Sequence, residues 1–161
     1  MSAETRLAEI VAELGIELPA PAAPKGLYRP ALELEGGLYL SGHLPIRADG
    51  SLVTGRLGED LDEQAGHDAA RLCGLNLLAT AREHLGTLDR VVQVVKLFGV
   101  VNSTPEFTAQ PAVINGCSQL MLDVFGAEAG RGVRSAIAAP TLPLGAAVEI
   151  EAVLLVESGE V

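Results

Sequence analysis

The stretch LDRVVQVVKLFGVVN, residues 88–102, limits the fold more than any other segment. Valine stands at 91, 92, 94, 95, 100 and 101. Branched side chains lose rotamer freedom in a helix and pack well on a pleated surface. The stretch therefore reads as one long strand. Upstream, EDLDEQAGHDAARLCGLNLLATAREHLG reads as a long helix. Glu59, Asp60, Asp62 and Glu63 crowd its first turn and Arg82 and His84 its last, an order that complements the helix dipole. Leu61, Ala65, Ala69, Leu72 and Ala79 form one narrow apolar stripe, and Gly86 ends it. Downstream, Pro111 opens a second helix with Val113, Cys117, Leu120, Met121 and Val124 on its inner face. Gly126 stops it, and GAEAGRG reads as a flexible loop.

Two strand pairs flank this centre. In YRPALELEGGLYLSG apolar and polar residues alternate on both sides of Gly36-Gly37, a hairpin pattern. SGHLPIRADGSLVTG reads as a loop with a turn at Asp49-Gly50. GVRSAIAAPTLPLGAAVEIEAVLLV supplies two final strands around the turn TLPLGA. Leu7, Ile10, Val11 and Leu14 recur at helical spacing, so residues 3–14 form a first helix that Gly15 stops. ELPAPAAPKG is a Pro-rich connector. The expected organisation is a helix and connector over 1–25 and one domain over 26–161. The domain is α+β, in the order β-β-α-β-α-β-β. Two helices cover one face of such a sheet. The other face is also aliphatic, and self-association is the simplest way to bury it.

The chain has 161 residues, 48% of them apolar, with two tyrosines, three phenylalanines and no tryptophan. Its core must be aliphatic. Its net charge of −10 and scarcity of aromatic residues disfavour nucleic acid, which needs cations for phosphates and rings for bases. Cys73 and Cys117 lie far apart and read as buried thiols of a reducing compartment. Neither a signal peptide nor an apolar run of membrane-spanning length is visible, so a cytoplasmic protein without a membrane partner is expected. His43, His67 and His84 lack ligand spacing, which leaves no metal site to argue.

Charge on the last two strands needs an explanation. Arg134 shares one side of its strand with Ala136 and Ala138, while Glu149 and Glu151 share one side of theirs. If the strands pair, the register decides whether Arg134 and the glutamates meet, and the sequence does not fix it. A cross-strand ion pair on a solvated face and a functional cleft both fit.

Arg134-Ser135, Leu142-Pro143 and Glu149-Ile150-Glu151-Ala152 occur in the order and spacing of a signature segment. Gly26-Leu27-Tyr28 and Ser41-Gly42-His43-Leu44-Pro45 fit two upstream segments. With these motifs the chain resembles the Rid superfamily of reactive enamine/imine intermediate deaminases, the YjgF-like or endoribonuclease L-PSP proteins. The resemblance implies a chorismate-mutase-like fold and a homotrimer with clefts between subunits. It implies hydrolysis of α-imino acids, such as that from 2-aminoacrylate, to α-keto acids and ammonia, as by a 2-iminobutanoate/2-iminopropanoate deaminase. No cofactor is implied. Arg134 would grip a carboxylate, with backbone near Ala136 assisting, and Glu149 would hold the water. Tyr28 matches a cleft tyrosine, and Glu151 would be supporting or solvated. Ala136 replaces a frequent cysteine and His43 a glutamine; His43 is expected in a surface loop at the cleft rim. Asn115 is the candidate for a helix asparagine near the site, at an unusual distance from Arg134. A non-catalytic trimer binding a keto acid or amino acid is the alternative, and ribonuclease activity, which the charge disfavours, is a further one.

Overall fold

A computed structural model of the chain describes residues 1–21 and 23–157. Ala22 of the connector and the last four residues of the expected domain lie outside the described residues. The elements are α1 (Ala3–Leu14), β1 (Ala31–Leu34), β2 (Gly37–His43), α2 (Glu63–Leu85), β3 (Val91–Asn102), α3 (Gln110–Phe125), β4 (Val133–Ala139) and β5 (Val148–Val156). Their order matches the sequence expectation, α+β with two helices on one face of a mixed sheet.

Helix ends lie where local chemistry satisfies free backbone groups. Ser2 caps α1 by accepting from the Thr5 amide, and Gly15 closes it in the left-handed region. Asp62 caps α2 by accepting from the Ala65 amide at 2.8 Å. This cap sets the start of α2, so Glu59 and Asp60 fall outside the first turn assigned to them from sequence. The hairpin turn is Glu35-Gly36, with φ of 51° and 79°, one residue earlier than Gly36-Gly37. Positive φ at both central residues matches the twist of two-residue hairpins.

The sheet order is β1-β2-β5-β3-β4, antiparallel except for β3 with β4. The last two strands do not pair: β3 lies between them. A turn as short as TLPLGA cannot connect parallel neighbours, but it can carry the chain over β3 to an antiparallel place beyond it. Leu38, Leu40, Val94, Leu97, Val101, Ile150, Ala152 and Leu154 are buried beneath α2 and α3. The opposite face exposes Leu32, Leu34, Tyr39, Ile137 and Leu155.

Burial of α2 exceeds the narrow stripe read from its sequence: every residue from Cys73 to Ala81 is buried. The Cys73 thiol donates to the Val148 carbonyl of the sheet, and Gly74 meets Leu120 and Cys117 of α3. Asn76 donates to the Ile46 carbonyl in the loop after β2, at 2.8 Å. α1 docks on the same body through Leu7, and Arg6 donates to the Val124 carbonyl. The 126–132 loop is tied down as well: Val94 N donates to Ala129 O at 2.7 Å.

α2 and α3 approach closely at Gly116, where a Cβ would overlap the His67 carbonyl oxygen. That neighbour is backbone and cannot rotate aside. Intrinsic helix preference favours Gly116→Ala by about 1 kcal/mol. Overpacking against fixed backbone, toward the upper end of roughly 1–3 kcal/mol, opposes it and should win, for a net loss of about 1–2 kcal/mol in urea unfolding. A variant as stable as wild type would show that the helices separate freely.

Candidate carboxylate site

Arg134 stands opposite Leu97 on the parallel neighbour β3 and so points to the helix-covered side of the sheet. Because β4 is the edge strand, the side chain emerges beside α3 and stays exposed. Its Nη1 donates to Ser118 Oγ at 3.0 Å and its Nη2 to the Pro111 carbonyl at 3.2 Å. Both acceptors are neutral, and Arg134 forms no ion pair among the described residues. A guanidinium has five N–H donors in a planar fork, so three remain for a ligand.

A recess of about 210 Å³ opens here, bounded by Leu97, Asn115, Ser118, Leu122, Arg131 and Arg134 among others. Its size suits a small metabolite better than a drug-sized ligand. Asn115 and Ser118 are one turn apart on α3, which places both on the recess wall. The structure thus brings the sequence candidates Arg134 and Asn115 together. Ser118 and Arg131 were not foreseen. Ser118 was signalled by its three-residue spacing from Asn115, and Arg131 by the glycines that flank it. Ala136 packs against the core opposite Gly99, and its edge strand leaves backbone groups without ladder partners.

Glu149 is not in this recess. It stands opposite Val100, on the open face, and Glu151 stands opposite Phe98 on the same face. Two strand spacings, about 10 Å, and the thickness of the sheet separate Glu149 from Arg134. The two cannot act on one substrate within a single chain. Glu149 is half-buried, and its carboxylate lies against Gly42, where a Cβ would overlap it. Burial, and secondarily Glu151, push its carboxyl above the ordinary 4.5. Tyr28 is 49% exposed, in the bend before β1, and does not line the recess.

His43 departs from its expected surface loop. It ends β2, is 3% exposed, and is flanked in space by Thr80 Oγ1, 2.8 Å from Nε2, and the Ser41 carbonyl, 2.6 Å from Nδ1. A bulge between Leu40 and His43 changes the strand's parity and turns His43 inward. Two polar residues on the buried part of α2, Asn76 and Thr80, were the sequence signal for a polar partner there.

The family described as "YjgF/chorismate_mutase-like, putative endoribonuclease" matches residues 5–155. The chain belongs to the YjgF-like family. Protein TCP17 of Trypanosoma cruzi is 45% identical over 152 residues, 94% of this chain and 95% of its own. The crystal structure of Atu1372 from Agrobacterium tumefaciens, titled as of unknown function, superposes with a TM-score of 0.87. It is 38% identical, over 96% of this chain and 95% of that one. Escherichia coli TdcF with bound serine gives a TM-score of 0.60 at 25% identity, over 89% and 98% of the two chains. The match to this YjgF-like family begins within the N-terminal helix, at residue 5, and takes in most of it.

Burial holds the His43 imidazole below its ordinary value of 6.5, against the opposing effect of the Ser41 carbonyl. As pH falls below 6.5, the unfolded chain binds a proton that folded His43 resists. Stability therefore declines toward acid, by at most about 1.4 kcal/mol per pH unit. His43→Gln removes this titration. Its stability deficit in urea unfolding should shrink between pH 7.5 and 5.5, whereas a constant deficit would mean that His43 titrates alike folded and unfolded.

Proposed function

We propose that this YjgF-like chain hydrolyses α-imino acids to α-keto acids and ammonia, as a homotrimer with its sites between subunits. The observation that carries the reading is Arg134: a guanidinium positioned by two neutral acceptors, facing a small recess, with no ion pair among the described residues. Such a group binds a carboxylate by parallel charge-assisted hydrogen bonds and so orients the adjacent C=N carbon.

Glu149 supplies the second part. Its partial burial without a cationic partner suits a general base, because the raised basicity helps it take a proton from water. The oxygen of that water adds to the imine carbon while the nitrogen carries a proton. A carbinolamine forms. Its C–N bond breaks, the hydroxyl proton leaves with the nitrogen, and keto acid and ammonia result. The open face of each subunit, seated against a neighbour, would bring its Glu149 to the neighbour's Arg134 recess. The buried, unlinked Cys73 and Cys117 suit the reducing cytoplasm.

The second reading is a trimer that binds an amino or keto acid without turnover. Ala136, which brings no thiol, and the serine bound to the similar TdcF favour it. Ribonuclease action is opposed by the net charge of −10.

Ammonia release from enzymatically generated imino acids separates these readings. Glu149→Gln should keep keto-acid binding and deaminate about 10²- to 10⁴-fold more slowly. In wild type, activity should rise with pH along a limb above 4.5, and the variant should lose that limb. Unchanged turnover would place water activation elsewhere.

Arg134→Lys separates charge from geometry, because lysine loses the planar fork. A folded variant should lose about 10- to 100-fold in kcat/KM. Light scattering should give three chains per particle; a stable monomer at micromolar concentration would remove the composite site.

A further inference from the structure

Arg131 gives the recess a second positive charge, and its surroundings bear on which acids the recess accepts. Gln93 Nε2 donates to the Arg131 carbonyl at 2.9 Å and to Val94 O at 3.0 Å, bridging the loop to β3. Gly130 N donates to Gly126 O at 2.8 Å. A Cβ at Gly130 would overlap the Met121 carbonyl, and one at Gly132 the Val94 carbonyl. The two glycines thus let the loop lie directly on α3 and β3, with Arg131 fixed between them at the mouth of the recess.

Among the described residues no acidic side chain lines this recess, although the chain carries ten more acids than bases. Four other arginines pair with acids, Arg56 with Glu59, Arg71 with Asp123, Arg82 with Glu4 and Arg90 with Glu33, while Arg6, Arg29 and Arg47 form no ion pair among the described residues. Asp123, on α3, is further engaged by Gln119. Arg131 and Arg134 form no ion pair among the described residues. Two like charges on one small recess repel each other, and a single carboxylate neutralises only one of them. An acid with a carboxylate at each end neutralises both.

The geometry points to a substrate class: the recess selects small dicarboxylic α-keto or α-imino acids, with Arg134 on the carboxylate beside the reacting carbon and Arg131 on the distal one. This rests on the reading of Arg134 given above and adds the second anionic group. Arg131 acts on specificity, by attraction at the recess mouth. Because Arg131 is exposed, its contribution is that of a partly screened pair, about 2- to 5-fold in affinity.

The test is calorimetric binding to the intact protein, which does not depend on turnover. The probes are 2-oxoglutarate, with two carboxylates, and 2-oxobutanoate, with one, at matched ionic strength. Wild type should bind 2-oxoglutarate about 2- to 5-fold more tightly, and added salt should narrow the gap. Arg131→Gln should abolish the gap by weakening 2-oxoglutarate binding more than 2-oxobutanoate binding, while Arg131→Lys should keep part of it. Equal affinity in wild type, or a gap that survives Arg131→Gln, would overturn the dicarboxylate preference alone. Failure of a folded protein to bind either acid would overturn the carboxylate reading of Arg134, and the preference with it.

Discussion

Register across three neighbouring strands decides what one copy of this chain can assemble. Leu97 of β3 stands between Ala152 of β5 and Arg134 of β4, while Val100 stands between Glu149 and Ile137. With a side-chain period of two, the first row faces the helices and the second faces away. A one-residue slip of β5 would turn Glu149 toward the helices but would put Ile150 and Leu154 on the open face. Both are now fully buried, and each is worth roughly 1.5–3 kcal/mol. Core packing therefore fixes the separation of Arg134 from Glu149 more firmly than any polar contact does.

The separation leaves each half electrostatically unfinished. One edge presents two guanidinium groups without an ion pair; the opposite face presents a half-buried carboxylate that also forms none among the described residues. That carboxylate lies on a face where Leu32, Leu34, Tyr39, Ile137 and Leu155 are exposed. A structural ion pair would have matched charges within the chain, as Arg90 and Glu33 do at 2.9 Å. Under the proposed trimer, one contact covers the aliphatic face and brings acid and base together. Desolvation at that contact strengthens the attraction between Arg134 and a bound carboxylate and keeps the basicity of Glu149 high.

Legibility in the sequence followed the range of the interactions. Helix ends were readable because caps are local: Gly15, Gly86, Gly126 and Pro111 lie at the expected boundaries. The inner face of α3 was readable because that helix meets the core along a single stripe. Strand order was not, since nothing local in TLPLGA says that β3 lies between the strands it joins. The all-round burial of α2 was hidden for the same reason: α3 and the loop after β2 approach it from distant parts of the chain. In the site, Arg134 and Asn115 were legible as residue types in context. Arg131 acquires its place only when Gly130 and Gly132 press the loop onto β3 and α3.

The bulge in β2 shows how far one extra residue reaches. Between the pairs Leu40–Ala152 and His43–Ile150, β2 has two residues, Ser41 and Gly42, where β5 has only Glu151. In a regular ladder Gly42 would face Ile150, and His43 would stand directly opposite Glu149 on the open face. An imidazole there would donate a hydrogen bond or a positive charge to the carboxylate and hold its basicity down. The bulge instead places His43 against Thr80 in the core and leaves Gly42 beside Glu149. Glycine leaves room for the carboxylate in this position; a Cβ there would push the Glu149 side chain to another rotamer. Glu149 thus loses its most direct cross-strand donor and gains a snug backbone wall. Partial burial without a cationic partner raises its pKa, the property general-base catalysis requires, and here it follows from how β2 is paired.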